Sequence, residues 1–69
     1  MTTLLTITGM RSAYCASAVY TALGTVEGVE SARVVIGEAV LDHDERVTLA
    51  ALEAAVAMVG YKVIASREL

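Results

Sequence analysis

"VESARVVIGEAVLDH", residues 29–43, decides how this chain folds. Two runs rich in β-branched residues, 29–36 and 39–43, flank the pair Gly37–Glu38. A glycine at the first of two central positions predicts a type II′ hairpin. Such a turn sets Ile36 against Ala39, Val35 against Val40, Val34 against Leu41, Arg33 against Asp42 and Ala32 against His43. One face then carries Val34, Ile36, Ala39 and Leu41. The other carries the Val35–Val40 pair and the opposite-charge pair Arg33–Asp42, so the pattern is self-consistent.

Outward from the hairpin, the periodicity changes on both sides. Upstream, Val19, Ala22, Leu23 and Val26 recur at helical spacing in the segment Ala13–Val26, which Gly28 ends. Before it, "TLLTIT" at residues 3–8 alternates as a strand with Leu5 and Ile7 on one face. Downstream, Thr48 is placed to cap a second helix whose stripe is Leu49, Leu52, Val56 and Val59, with Gly60 as its stop. "YKVIAS" at 61–66 closes as a strand with Val63 inward. The order βαββαβ predicts an α+β, ferredoxin-like sandwich, a four-stranded antiparallel sheet with both helices on one face. The expected core is Leu5, Ile7, Val19, Leu23, Val34, Ile36, Leu41, Leu52, Val56 and Val63.

Bulk properties narrow the class. Residues 1–69 read as one domain, close to the smallest size that folds on a single core. Apolar residues make up 57% of the chain, but they are mostly Ala and Val, with no Phe or Trp, so the core must be modest. One cysteine excludes an internal disulfide and suits a reducing, cytoplasmic setting. Threonines interrupt the N-terminal apolar run, which argues against a signal peptide and against membrane insertion. A net charge of −3 argues against nucleic acid as a partner.

The residues that carry chemistry lie in "GMRSAYC", 9–15, between the first strand and the first helix. Cys15 falls in the first helical turn, where free N–H groups and the helix dipole favour a thiolate, and the nearby Arg11 adds positive charge. Ser12, just before the helix, is suited to cap the N–H of Tyr14 or Cys15. Met10 offers either a thioether ligand or a plug for the core beneath the loop. Tyr14 and Tyr20 flank the loop-side surface of the helix. His43 is expected at the other end of the sheet, about 15 Å away at about 3.3 Å per strand residue. It is there to fill space opposite the small Ala32 and not to partner Cys15. With no base beside Cys15, no triad and no phosphate loop, the chain does not read as an enzyme.

"ITGMRSAYC", the Val-Gly-Val-like "VEGVE" after the first helix, and "VGYKV" before the last strand together resemble the heavy-metal-associated domain of copper chaperones and of the amino-terminal modules of metal-transporting P-type ATPases. The resemblance runs from Leu5 to Val63. That family's loop reads Gly-Met-x-Cys-x-x-Cys, and its two thiolates hold Cu(I) or, in some members, Zn, Cd or Hg. Carried over, the second metal thiol is Cys15, the first falls on Ser12, and Tyr61 matches the residue beside the site. A hydroxyl is a hard, weak ligand for a soft d¹⁰ ion.

The resemblance therefore implies a Cu(I)-binding or trafficking domain whose site is completed in trans by a second thiol. That thiol would come from a homodimer through the loop end, from glutathione, or from a P-type ATPase or metallochaperone. The alternatives are a metal-free docking or regulatory module, and a copper chaperone whose first cysteine has been replaced by serine at position 12.

Overall fold

The computed structural model describes residues 1–69. Its elements are β1 (Thr2–Thr8), α1 (Ala13–Leu23), β2 (Val29–Val35), β3 (Glu38–His43), α2 (Leu49–Met58) and β4 (Lys62–Glu68). The strands form one antiparallel sheet in the order β2-β3-β1-β4, which is the ferredoxin-like βαββαβ arrangement. Alternation along β1 and β3 turns Leu5, Ile7, Ala39 and Leu41 to the helix side. There they meet Val19 and Leu23 of α1, and Leu52 and Val56 of α2. Neither helix is long and apolar enough to cross a membrane.

The hairpin forms with its turn one residue earlier than its pattern implies. Val35 pairs with Glu38, Val34 with Ala39, Arg33 with Val40 and Ala32 with Leu41, so the central residues are Ile36 and Gly37. Gly37 has φ +89 and no non-glycine residue has positive φ. Glycine thus sits at the second central position, where a type II turn demands the left-handed region, not at the first as in type II′. The neighbouring strand holds this register: Ile7 N–H donates to the Gly37 carbonyl (2.9 Å) and Leu5 pairs with Ala39.

Pair positions move by two, so every side chain keeps its face. Val34, Ala39 and Leu41 stay inward. Ile36 leaves the expected core for the turn and is 55% exposed. Arg33 and Asp42 do not face each other. The Asp42 carboxylate instead accepts from Thr2 (2.6 Å) and Ser31 (3.1 Å), which holds it below the usual carboxylate range.

The remaining expected core residues are in place, Val34 half-buried and the others buried. Met10, Ala39, Ala55 and His43 join the buried set. α1 stops at Leu23 and does not run to Val26. Thr25 and Val26 N–H groups tighten onto Ala22 and Leu23, and the Thr25 hydroxyl takes the Ala22 carbonyl at 2.7 Å. Thr48 caps α2 as expected, accepting from the Ala51 N–H at 3.2 Å. Leu49, in the first turn, is 43% exposed and lies outside the buried stripe. β4 starts at Lys62 and extends to Glu68, past the expected end at Ser66. A bulge between the Ile7–Val63 and Thr6–Ala65 pairs leaves Ile64 unpaired and 57% exposed.

His43 is buried, as its role in filling space requires, but its neighbour across the ladder is Val29, not Ala32. The earlier turn moves the partner by two residues, and the bulge between Val29 and Ser31 moves it by one more. The ring is also fully hydrogen-bonded. Nδ1 lies 2.7 Å from the Asp44 carbonyl oxygen, which can only accept, so Nδ1 carries the proton. Nε2, 2.7 Å from Thr3 Oγ1, then accepts from that hydroxyl. The imidazole is a satisfied structural group.

Candidate functional site

The loop from Gly9 to Ser12 passes from the end of β1 into α1, and Tyr61 approaches it from the step before β4. The two are juxtaposed because Thr8 pairs with Lys62 at this end of the sheet. Gly9 makes the close approach feasible. A Cβ there would come within 3.1 Å of Tyr61 Cδ1, and its φ of +96 strains any L side chain. Met10 turns inward and is buried in the core at 9% exposure, so its thioether packs beneath the loop. Arg11 and Ser12 are exposed, and Cys15 is half-buried.

Ser12 occupies the N-cap position of α1 with extended backbone, but its side chain caps no N–H. Its Oγ lies instead 3.7 Å from Cys15 Sγ. The local fold thus turns the side chains of positions 12 and 15, one helical turn apart, toward each other. The hydroxyl that the cap rule assigns to the backbone is oriented at the sulfur.

The Cys15 thiol is pulled down from 9.0 to about 6. The largest cause is the Tyr61 hydroxyl donating to the thiolate, followed by the Arg11 backbone N–H and the Ser12 hydroxyl; partial burial opposes them. The direction matches the sequence reading but the donors differ. Arg11 acts through its amide and not its guanidinium, and the main donor comes from a residue 46 positions away in sequence, Tyr61. The same contact pushes the Tyr61 phenol up, because its proton is held by the sulfur. The arrangement favours the thiolate, with the Ser12 hydroxyl 3.7 Å from a half-buried sulfur.

A pH profile follows from this geometry. The fold holds the ionised form, so the thiolate's contribution to stability is full above the ordinary value of 9.0 and is lost as pH falls through about 6. Alkylation of the folded protein by iodoacetamide should therefore reach half its maximal rate near pH 6 and level off above it. Tyr61→Phe should move that midpoint upward by removing the first donor while keeping the ring on Gly9. A parent midpoint near 9 would show that the loop does not stabilise the thiolate.

The other residues singled out from the sequence lie elsewhere. Tyr14 is 82% exposed and lines a groove between the helices. Tyr20 is 55% exposed. His43 is tied to Thr3, at the opposite end of β1 from Thr8 and the loop. Val35 and Val40 are not directly opposite. No cluster of three His, Cys, Asp or Glu side chains gathers anywhere in the chain. Sequence reasoning missed the groove. It is about 480 Å³ in volume, and its signal was the absence of any charged residue from Ser12 to Val26.

Comparison with known proteins finds the same fold. The family model for the heavy-metal-associated domain matches residues 4–62. Among solved structures, the N-terminal domain of PacS from Synechocystis PCC6803 is 35% identical, with 91% of this chain and 92% of that one covered and a TM-score of 0.81. A CopZ metallochaperone is 31% identical over 93% of this chain and 100% of its own, at a TM-score of 0.86. Oxidized MerP from Ralstonia metallidurans CH34 is 28% identical over 99% and 97%, at 0.88. No curated protein matches the chain by sequence.

Proposed function

We propose that this chain, which belongs to the heavy-metal-associated domain family, is a soft-metal-binding and trafficking domain whose own site supplies one of two thiolates. The carrying observation is the single free thiol, Cys15, half-buried in the first turn of α1 with the Ser12 hydroxyl 3.7 Å from its sulfur. A thiolate needs no proton loss at neutral pH to take a metal. Cu(I) is the cargo that suits it best, because a soft d¹⁰ ion favours thiolate over oxygen and is satisfied by two sulfurs in line. Zn, Cd and Hg share the softness but ask for the same or more ligands.

The donor set around Cys15 fits half of that requirement. The Ser12 hydroxyl, 3.7 Å from the sulfur, supports the thiolate as a hydrogen-bond donor and is a poor ligand in its own right. The second sulfur therefore comes from outside the chain: another copy through the loop end, glutathione, or the cysteine of a metallochaperone or a metal-transporting P-type ATPase. The similarity to a metallochaperone and to a copper binding domain from HMA7, a P-type ATPase, supports the last pair. The groups around Cys15 are hydroxyls and amides, none of which accepts a proton at neutral pH as a general base must, so the reading assigns the thiolate to binding and not to catalysis.

An anaerobic Cu(I) titration followed by sizing tests this. One metal per two chains, with the mass of a dimer that excess glutathione disperses, is the expected result. Cys15→Ala should abolish both effects and leave the circular dichroism unchanged. An alanine variant that binds Cu(I) as tightly as the parent would overturn the ligand assignment. A parent that binds none would favour the metal-free docking module.

A further inference from the structure

The sheet order β2-β3-β1-β4 leaves β2 and β4 each with one side unpaired. Such an edge carries a row of N–H and C=O groups, and an added extended chain is what fills them. Along β4 the regular stretch is Ala65–Glu68, whose residues pair in turn with Thr6, Leu5, Leu4 and Thr3 of β1. The bulge at Ile64 ends that stretch and leaves its side chain exposed.

A cleft of about 230 Å³ runs beside this edge, between β4 and α2. Leu49 and Glu53 of α2 form one wall, and Val63, Ile64 and Ser66 of β4 the other. Leu49 also lines a neighbouring hollow with Ser66 and Glu68, so it stands toward the C-terminal end of β4 and Glu53 toward Ile64. On the helix side the edge therefore reads carboxylate, aliphatic, carboxylate: Glu68, then Leu49 by Ser66, then Glu53 by Ile64. Both glutamates are exposed, and neither is in an ion pair, since the pairs of this chain belong to Arg46. No cavity joins β2, the other edge, to α1.

We propose that an extended segment of another protein adds to β4 as a fifth strand. Its residues i, i+2 and i+4 share the helix side. An aliphatic side chain at i+2 enters the cleft against Leu49 and Ile64, and lysine or arginine at i and i+4 meets Glu68 and Glu53. The pattern reads the same in both directions, so it fits parallel or antiparallel addition. Backbone bonds along the edge hold the segment, and the cleft with its two carboxylates selects it. The net charge of −3 draws a basic segment toward this surface and repels a nucleic acid. The free edges of a second copy put Val63, Ser66 and Glu68, or Ala32 and Val34, on the helix side and supply no cation there.

The blocked peptide Thr-Lys-Thr-Val-Thr-Lys-Thr, titrated into the reduced, isotope-labelled protein, tests this through amide shifts and hydrogen exchange. Saturable shifts and slowed exchange at Ala65–Glu68 are the expected result. Aspartates in place of the lysines should weaken binding about tenfold or more, and Glu53→Gln or Glu68→Gln about threefold each. Glu30→Gln removes the same charge from β2, at the far edge, and should leave the affinity within about twofold. A peptide that shifts no β4 amide at millimolar concentration overturns the proposal, as does one bound equally well with aspartates. Shifts at the same amides on concentrating the protein alone overturn it in favour of a second copy.

Discussion

Ser12→Cys is expected to convert the chain into a monomeric binder that takes one Cu(I) per molecule. The side chain at position 12 already ends 3.7 Å from Cys15 Sγ. Metal–thiolate bonds of about 2.3 Å each span slightly more than that separation, so a small rotamer adjustment suffices. The backbone needs no rearrangement, because Ser12 makes no side-chain cap that cysteine would break. The gain comes from making the second ligand intramolecular. An effective concentration on the order of millimolar replaces micromolar partner thiol, so affinity should rise about 10³-fold or more. Competition with a Cu(I) chelator, paired with sizing, measures both consequences. A folded double-thiol variant that binds no more tightly than the parent, or that still dimerises on metal, would show that the loop has diverged beyond its ligands.

The second large effect is in the core. Leu52 is 2% exposed and Leu23 fully buried, each packed between sheet and helix. Truncating either to alanine should cost about 2–5 kcal/mol, since the rigid sheet beneath cannot collapse into the gap. Against the 5–15 kcal/mol available to a typical domain, that is a large share for 69 residues. Ile36→Ala should cost no more than about 0.5 kcal/mol, because the side chain sits exposed in the turn. Urea unfolding of the three variants separates the cases. An Ile36 variant as destabilised as Leu52→Ala would contradict the observed hairpin register.

Those two variants also mark where sequence reasoning stops. Period-2 and period-3.6 patterns placed Leu5, Ile7, Leu41, Leu23, Leu52 and Val56 correctly, because which residues face inward depends only on spacing along a strand or helix. The turn was harder. Gly37 was legible as a turn residue, but its position within the turn depends on which φ it adopts, and the pairing of Leu5 with Ala39 on β1 settles that. A strand 30 residues away thereby decides that Ile36 sits in the turn and not in the core.

The site divides in the same way. Cys15 at the start of a helix, and Ser12 one turn before it, were written in the local chain. The sequence by itself determined the fold class, through its strand and helix periodicities, and the position of the single thiol. Tertiary structure alone decided the rest. It brings Tyr61 against the loop at Gly9, turns Ser12 from its backbone to Cys15, and lays two helices side by side so that no charged residue lines the groove between them. The physical reason is range. Periodicity and capping act over a few residues, whereas a thiolate's donors and a surface's polarity depend on groups that only the closed sheet brings within hydrogen-bonding distance.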